Sequence, residues 1–160
     1  KITPLMYNAE CNDISEHEFL QKFTFEIGLH EDIDALLKIR HSLTEENPGV
    51  RMLILTLKKK YHVAFATNNA KTEFEANNTV FRLTELFEYG VASWMVGARK
   101  TEPALFEKIL EHFRVLARET VFIDDSEKNL VAPARLGIKT IHYTSLDECK
   151  KQLKKLGVDV

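Results

Sequence analysis

Apolar positions in the first 60 residues recur at helical spacing. Phe19, Leu20, Phe23 and Ile27 follow the pair Ser15 and Glu18, a capping box, and stop before Gly28. That spacing predicts a helix with one buried face. Ile33, Leu36 and Leu37 predict a second helix over about 32–43, and Val50, Leu53, Ile54 and Leu57 a third after Pro48 and Gly49. At Tyr61 the pattern changes to short β-prone runs: YHVAFAT (61–67), GVASWM (90–95), TVFID (120–124) and IKTIHY (138–143). Helical stretches separate them. One follows "NNA" and runs to about Phe87, and one starts at Pro103 with Leu105, Ile109, Leu110 and Phe113 inward. A third ends near Leu136 with Gly137 as its cap, and the last runs from the capping box Ser145 and Glu148 to Leu156.

Strands separated by helices, the first three starting about 30 residues apart, predict right-handed βαβ units. The fold class expected is therefore α/β, a Rossmann-like parallel sheet with helices on both faces behind an N-terminal helical section. Such sheets bind ligands at the carboxyl ends of their strands. Thr67, Lys100, Asp124 and Asp125 all stand at or just beyond those ends.

Composition narrows the picture without changing it. The chain has 160 residues, 44% hydrophobic and 29% charged, which suits one domain with a normal core. A net charge of −2 carries no basic excess for nucleic acid or an anionic membrane, so any anionic ligand needs a local site. The two cysteines, Cys11 and Cys149, are too few for a disulfide framework, and a reducing cytoplasm is expected. No apolar run approaches the roughly 20 residues of a membrane helix. The first residue is Lys1, not Met, so a fragment of a longer chain is expected.

The candidate chemistry centres on VFIDDSEKNL (121–130). Two adjacent carboxylates leaving an apolar strand repel each other unless a cation or donors meet them, although Asp is also an ordinary turn and cap residue. With hard oxygen ligands the natural cation for Asp124 and Asp125 is Mg²⁺, and Asn129 could turn its amide toward the same place. Lys100 stands in GARKTEP just before a helix start, where the helix dipole disfavours a cation unless an anion lies between. Thr67 is either a cap or a hydroxyl donor to phosphate, helped by the amides of Asn68 and Asn69. The six histidines lack ligand spacing, and no G-x-S-x-G, G-x-x-x-x-G-K-[ST] or G-x-G-x-x-G occurs.

The order FATNNA, VGARKTEPALFEKIL, VFIDDSEKNLVAPARLGIKTIHY resembles the haloacid dehalogenase-like hydrolases, in particular those with a helical cap. The resemblance implies a partial cap over 1–48 and an α/β core over 49–160. It also implies that Thr67 and Asn68 bind phosphate, that Lys100 is the third-motif lysine and that Asp124 and Asp125 hold magnesium, with Asn129 in support. The implied activity is Mg²⁺-dependent hydrolysis of a small phosphorylated metabolite through an aspartyl-phosphate. The family's first motif, D-x-D-x-T/V, occurs nowhere in the 160 residues, and neither Asp13 nor Asp32 and Asp34 stand in for it. That motif opens the central strand, so its absence predicts unpaired edges on 61–67 and 120–124. The expectation is that some tens of residues precede Lys1 in the natural product; the alternative is that those edges pair directly, or that a strand comes from a partner or a second copy. The competing expectation is a non-catalytic remnant or binding module.

Overall fold

The computed structural model describes residues 2–160, and most element ends follow the chain's own start and stop signals. Ser15 accepts the Glu18 N–H at 3.0 Å and opens α2 (Glu16–Ile27), and Gly28, at φ +70°, closes it. Asp32 caps α3 (Ile33–Ser42), and Asn47 caps α4 (Pro48–Leu57) with Pro48 in the first turn. Ahead of them lies α1 (Ile2–Glu10), which the apolar spacing does not predict. Ala9 of α1 joins Phe19 and Leu20 of α2 in one apolar cluster, to which Leu36 and Leu37 of α3 add.

From Ala64 strands and helices alternate. The order is β1 (Ala64–Thr67), α5 (Lys71–Phe81), α6 (Leu83–Leu86), β2 (Tyr89–Ala92), α7 (Ser93–Val96) and α8 (Ala104–Phe113). After a 3₁₀ turn over Ala117–Glu119 come β3 (Val121–Asp124), α9 (Glu127–Arg135), β4 (Lys139–His142) and α10 (Leu146–Lys155). Two expectations need correction. The helix expected to run to about Phe87 breaks at Arg82, whose φ of +53° no helix interior accepts. The run GVASWM is strand only to Ala92 and then turns helical.

Tertiary contacts explain that turn. The fully buried Ser93 hydroxyl lies 2.7 Å from the Glu10 carbonyl and 3.1 Å from that of Asn69, which fixes the start of α7 against α1 and the segment after β1. Ser93→Ala leaves two carbonyls without that donor in a dry site and should cost about 1–3 kcal/mol. Urea unfolding of the variant checks it, and a midpoint equal to wild type would remove Ser93 from this role.

The strands form two parallel ladders. β1 pairs with β2 in the register Ala64↔Tyr89 to Thr67↔Ala92, and β3 with β4 from Val121↔Lys139 to Asp124↔His142. Among the described residues no ladder joins β1 to β3, so direct pairing of the two edges, one of the alternatives, does not occur. Side chains hold the halves side by side instead. Ala66 and Phe122 pack on the cluster of Phe106, Ala132 and Ile138, with the Phe106 and Phe122 rings edge to face at 4.8 Å. On the other face Leu53 of α4 packs with Ile141, Cys149 and Leu153, and with Val121 and Ile123 at its margin. Helices thus cover both faces, as the alternation predicts.

Candidate functional site

Both β1 and β3 deliver polar residues to their carboxyl ends, and the loop before α8 lays Lys100 across them. The Lys100 N–H donates to Asn68 Oδ1 at 2.8 Å, and its ammonium meets Asp124 Oδ2 at 2.6 Å. One residue therefore spans the gap between the two ladders. The other Asp124 oxygen accepts from the Ser126 N–H and from Asn129 Nδ2, each at 2.9 Å. Both side chains of the ion pair are largely shielded, Lys100 being 15% and Asp124 4% exposed. Burial alone would push the Asp124 carboxyl up; the ammonium, the amide N–H and Asn129 outweigh it and hold it below the ordinary aspartate range.

The residues singled out in the sequence are partly brought together. Asn68, Lys100, Asp124 and Asn129 form one connected network, with Asn129 bonding Asp124 rather than Asp125. Asp125 is exposed, and its carbonyl meets His142 Nε2 at 3.0 Å. The Thr67 hydroxyl donates to Asn69 Oδ1 rather than capping α5, whose N-cap is Ala70 without a side-chain bond. The backbone end of β1 therefore carries three polar side chains in succession at the site.

A neighbouring ring of contacts has no signature in the sequence. Glu102 Oε1 accepts both the Arg99 N–H and the Tyr7 hydroxyl at 3.0 Å, and Arg99 Nε lies 2.6 Å from Glu10 Oε2. These contacts tie α1 to the loop that carries Lys100. The Glu102 carboxylate pushes the Tyr7 phenol up to about 12, so Tyr7 stays a donor throughout the physiological range. Tyr7 and Glu102 are 95 residues apart, a separation at which periodicity and local spacing carry no signal.

Residues 3–143 match the haloacid dehalogenase-like hydrolase family. The chain belongs to that family. This haloacid dehalogenase-like chain is 23% identical over 147 residues to flavin mononucleotide hydrolase 1 of Arabidopsis thaliana, covering 92% of itself and 60% of that protein. It is 29% identical over 114 residues to a sesquiterpene phosphatase of Aspergillus oryzae, covering 69% and 58%. The chain thus spans about three-fifths of the length of these relatives. Its fold is similar to a HAD family enzyme from Bacteroides thetaiotaomicron solved with magnesium and inorganic phosphate. There the TM-score is 0.75 at 24% identity, over 88% of this chain and 75% of that one.

Among the described residues no three His, Cys, Asp or Glu side chains are grouped to hold a metal ion. The oxygens on hand are those of Asp124 and Asp125 together with Asn129 Oδ1, which is buried and has no hydrogen-bond partner. Mg²⁺ commonly takes one or two carboxylates and fills its remaining positions with water and phosphate oxygens. Two adjacent carboxylates beside an amide oxygen without a partner are a donor set of the kind magnesium takes. Among the described residues no helix is long and apolar enough to cross a membrane.

Proposed function

We propose that this site binds the phosphoryl group of a small phosphomonoester and serves its Mg²⁺-dependent hydrolysis. The observation that carries the reading is the Lys100 ammonium, held at 2.6 Å from Asp124 and tied by its own amide to Asn68, at the carboxyl ends of β1 and β3. A cation fixed there neutralises phosphoryl oxygens without having to reorganise as charge shifts. Thr67 supplies a hydroxyl, and the amides beyond it supply further donors at the entry to α5. Magnesium, when bound by Asp124 and Asp125, would offset the remaining negative charge. The two curated relatives support the phosphate rather than the rest of the substrate. One is named for flavin mononucleotide and the other for a sesquiterpene phosphatase, so their organic parts differ.

The helical section α1–α3, residues 1–48 with its linker, acts in this reading as a partial cap over a core of 49–160. It reaches the Lys100 loop through Tyr7 and Glu10. The attacking carboxylate of the family's aspartyl-phosphate route is not among the residues gathered here, and no D-x-D-x-T/V occurs in the sequence. That observation favours a second reading for these 160 residues alone: a module that binds phosphate and does not turn it over.

Two measurements separate the readings. Inorganic phosphate titrated calorimetrically in the presence of excess Mg²⁺ should bind the wild-type chain. Asp125→Asn should weaken that binding by about tenfold, the loss of one charge-assisted ligand. Equal affinity for the two proteins would remove Asp125 from metal binding. Release of phosphate from flavin mononucleotide or p-nitrophenyl phosphate then supports hydrolysis, whereas binding without release supports the module.

A further inference from the structure

Lys100 stands on a stretch of backbone, from Ala98 to Pro103, that belongs to no strand or helix. Such a stretch has no ladder to fix it, so its donors need partners one by one. The turn over 99–102 is closed from both ends. The Glu102 N–H donates to the Arg99 carbonyl at 2.8 Å, and the Arg99 N–H donates to Glu102 Oε1 at 3.0 Å. Lys100 is the second residue of that turn, and its own N–H goes to Asn68. The bond from Arg99 lasts only while the Glu102 side chain keeps its rotamer, and a glutamate gains entropy by swinging free. The Tyr7 hydroxyl of α1 holds it, donating to the same Oε1 at 3.0 Å.

We propose that Tyr7 is a positioning residue for Lys100, acting through the Glu102 carboxylate. Among the described residues no bond joins Tyr7 to Lys100, so the effect passes through the turn. Its hydroxyl fixes Glu102, Glu102 fixes the Arg99 amide, and the closed turn sets the point from which the Lys100 stem reaches Asp124. A lysine ammonium is a point charge on a flexible four-carbon stem. Holding it at 2.6 Å from Asp124 therefore requires that its Cα stay in place, and a misplacement of about an ångström at such a group is costly to binding. The contact of Glu10 is with the Arg99 side chain and does not enter the backbone bonds of the turn. The inference rests on the phosphate reading of Lys100 only for its effect on affinity; the turn is closed without phosphate.

The test is a double-mutant cycle on the whole chain, with Tyr7→Phe, Glu102→Ala and the two combined. Amide exchange followed by NMR reads the turn directly, with no ligand present. Tyr7→Phe should speed exchange at Arg99 by about threefold to tenfold, the loss of one charge-assisted bond, and leave the buried Leu153 of α10 unchanged. Added to Glu102→Ala it should change nothing further, because the route is already cut. Inorganic phosphate titrated with excess Mg²⁺ should follow the same pattern, its affinity falling about threefold or more in each single variant and no further in the pair. Glu102→Gln, whose amide oxygen still accepts both donors, should stand nearer to wild type than Glu102→Ala. Unchanged exchange at Arg99 in Tyr7→Phe, an equal rise at Leu153, or full additivity of the two substitutions would each overturn the proposal. A wild-type chain that binds no phosphate would remove the phosphate reading, and the exchange cycle would still decide the role of Tyr7.

Discussion

Asp124→Ala lowers the stability of the chain by about 3–5 kcal/mol, the range for removing one partner of a buried ion pair. The cause is what remains behind. Lys100, only 15% exposed, loses its counter-ion, and the Ser126 N–H and Asn129 Nδ2 lose their acceptor. Asp124→Asn retains shape and part of the hydrogen bonding and should fall between the alanine variant and wild type. The pH dependence separates charge from packing. The folded carboxyl lies below its unfolded value of about 3.9, so it contributes stability above about pH 4 that is lost as pH falls through the folded value. Urea midpoints measured from pH 7 down to pH 3 should therefore fall more steeply for wild type than for Asp124→Asn. Parallel curves would show that the pair contributes no charge-dependent stability.

The second large effect is expected at Gly90, and its reason is space rather than backbone freedom. A Cβ built there would lie 2.2 Å from the Phe65 ring, which crosses from β1 over β2 and is packed at 5.6 Å from Phe74 and 5.5 Å from Phe87. The ring has little room to withdraw, so Gly90→Ala should cost about 1–3 kcal/mol and Gly90→Val more. The double variant Gly90→Ala with Phe65→Leu checks the mechanism. Shrinking the ring removes the collision, so the two losses should combine to clearly less than their sum. Strict additivity in denaturant unfolding would place the cost of Gly90→Ala elsewhere.

Much of this architecture is legible in the chain because its causes are local. Ser15, Asp32, Asn47 and Ser145 accept from amides two or three residues ahead, and each opens the helix that the apolar spacing places after it, although the reciprocal half of a capping box is seen at neither Ser15 nor Ser145. The short apolar runs at 61–67, 120–124 and 138–143 each contain a strand, trimmed to the residues that find a ladder partner. Lys100 and Asp124, named from motif and loop position, do meet, because parallel strands bring their carboxyl ends to one edge. By contrast α1 and α7 carry little signal of their own. α7 starts where it does because Ser93 is held by carbonyls 83 and 24 residues away.

The sequence by itself determined the order of strands and helices, most of their ends, the family and the short run of residues that makes the candidate site. Each of these depends on spacing of a few residues or on a motif whose members lie close along the chain. Only the tertiary structure decided that Asp124 is met by Lys100 while Asp125 faces solvent, and that Arg99, Glu102 and Tyr7 tie α1 to the Lys100 loop. It also decided that, among the described residues, the four strands form two ladders and not one sheet. Ladder bonds and buried ion pairs join groups far apart in the chain. Whether they form depends on which edges the packing of α4 and α8 brings within reach, a condition that no local pattern contains.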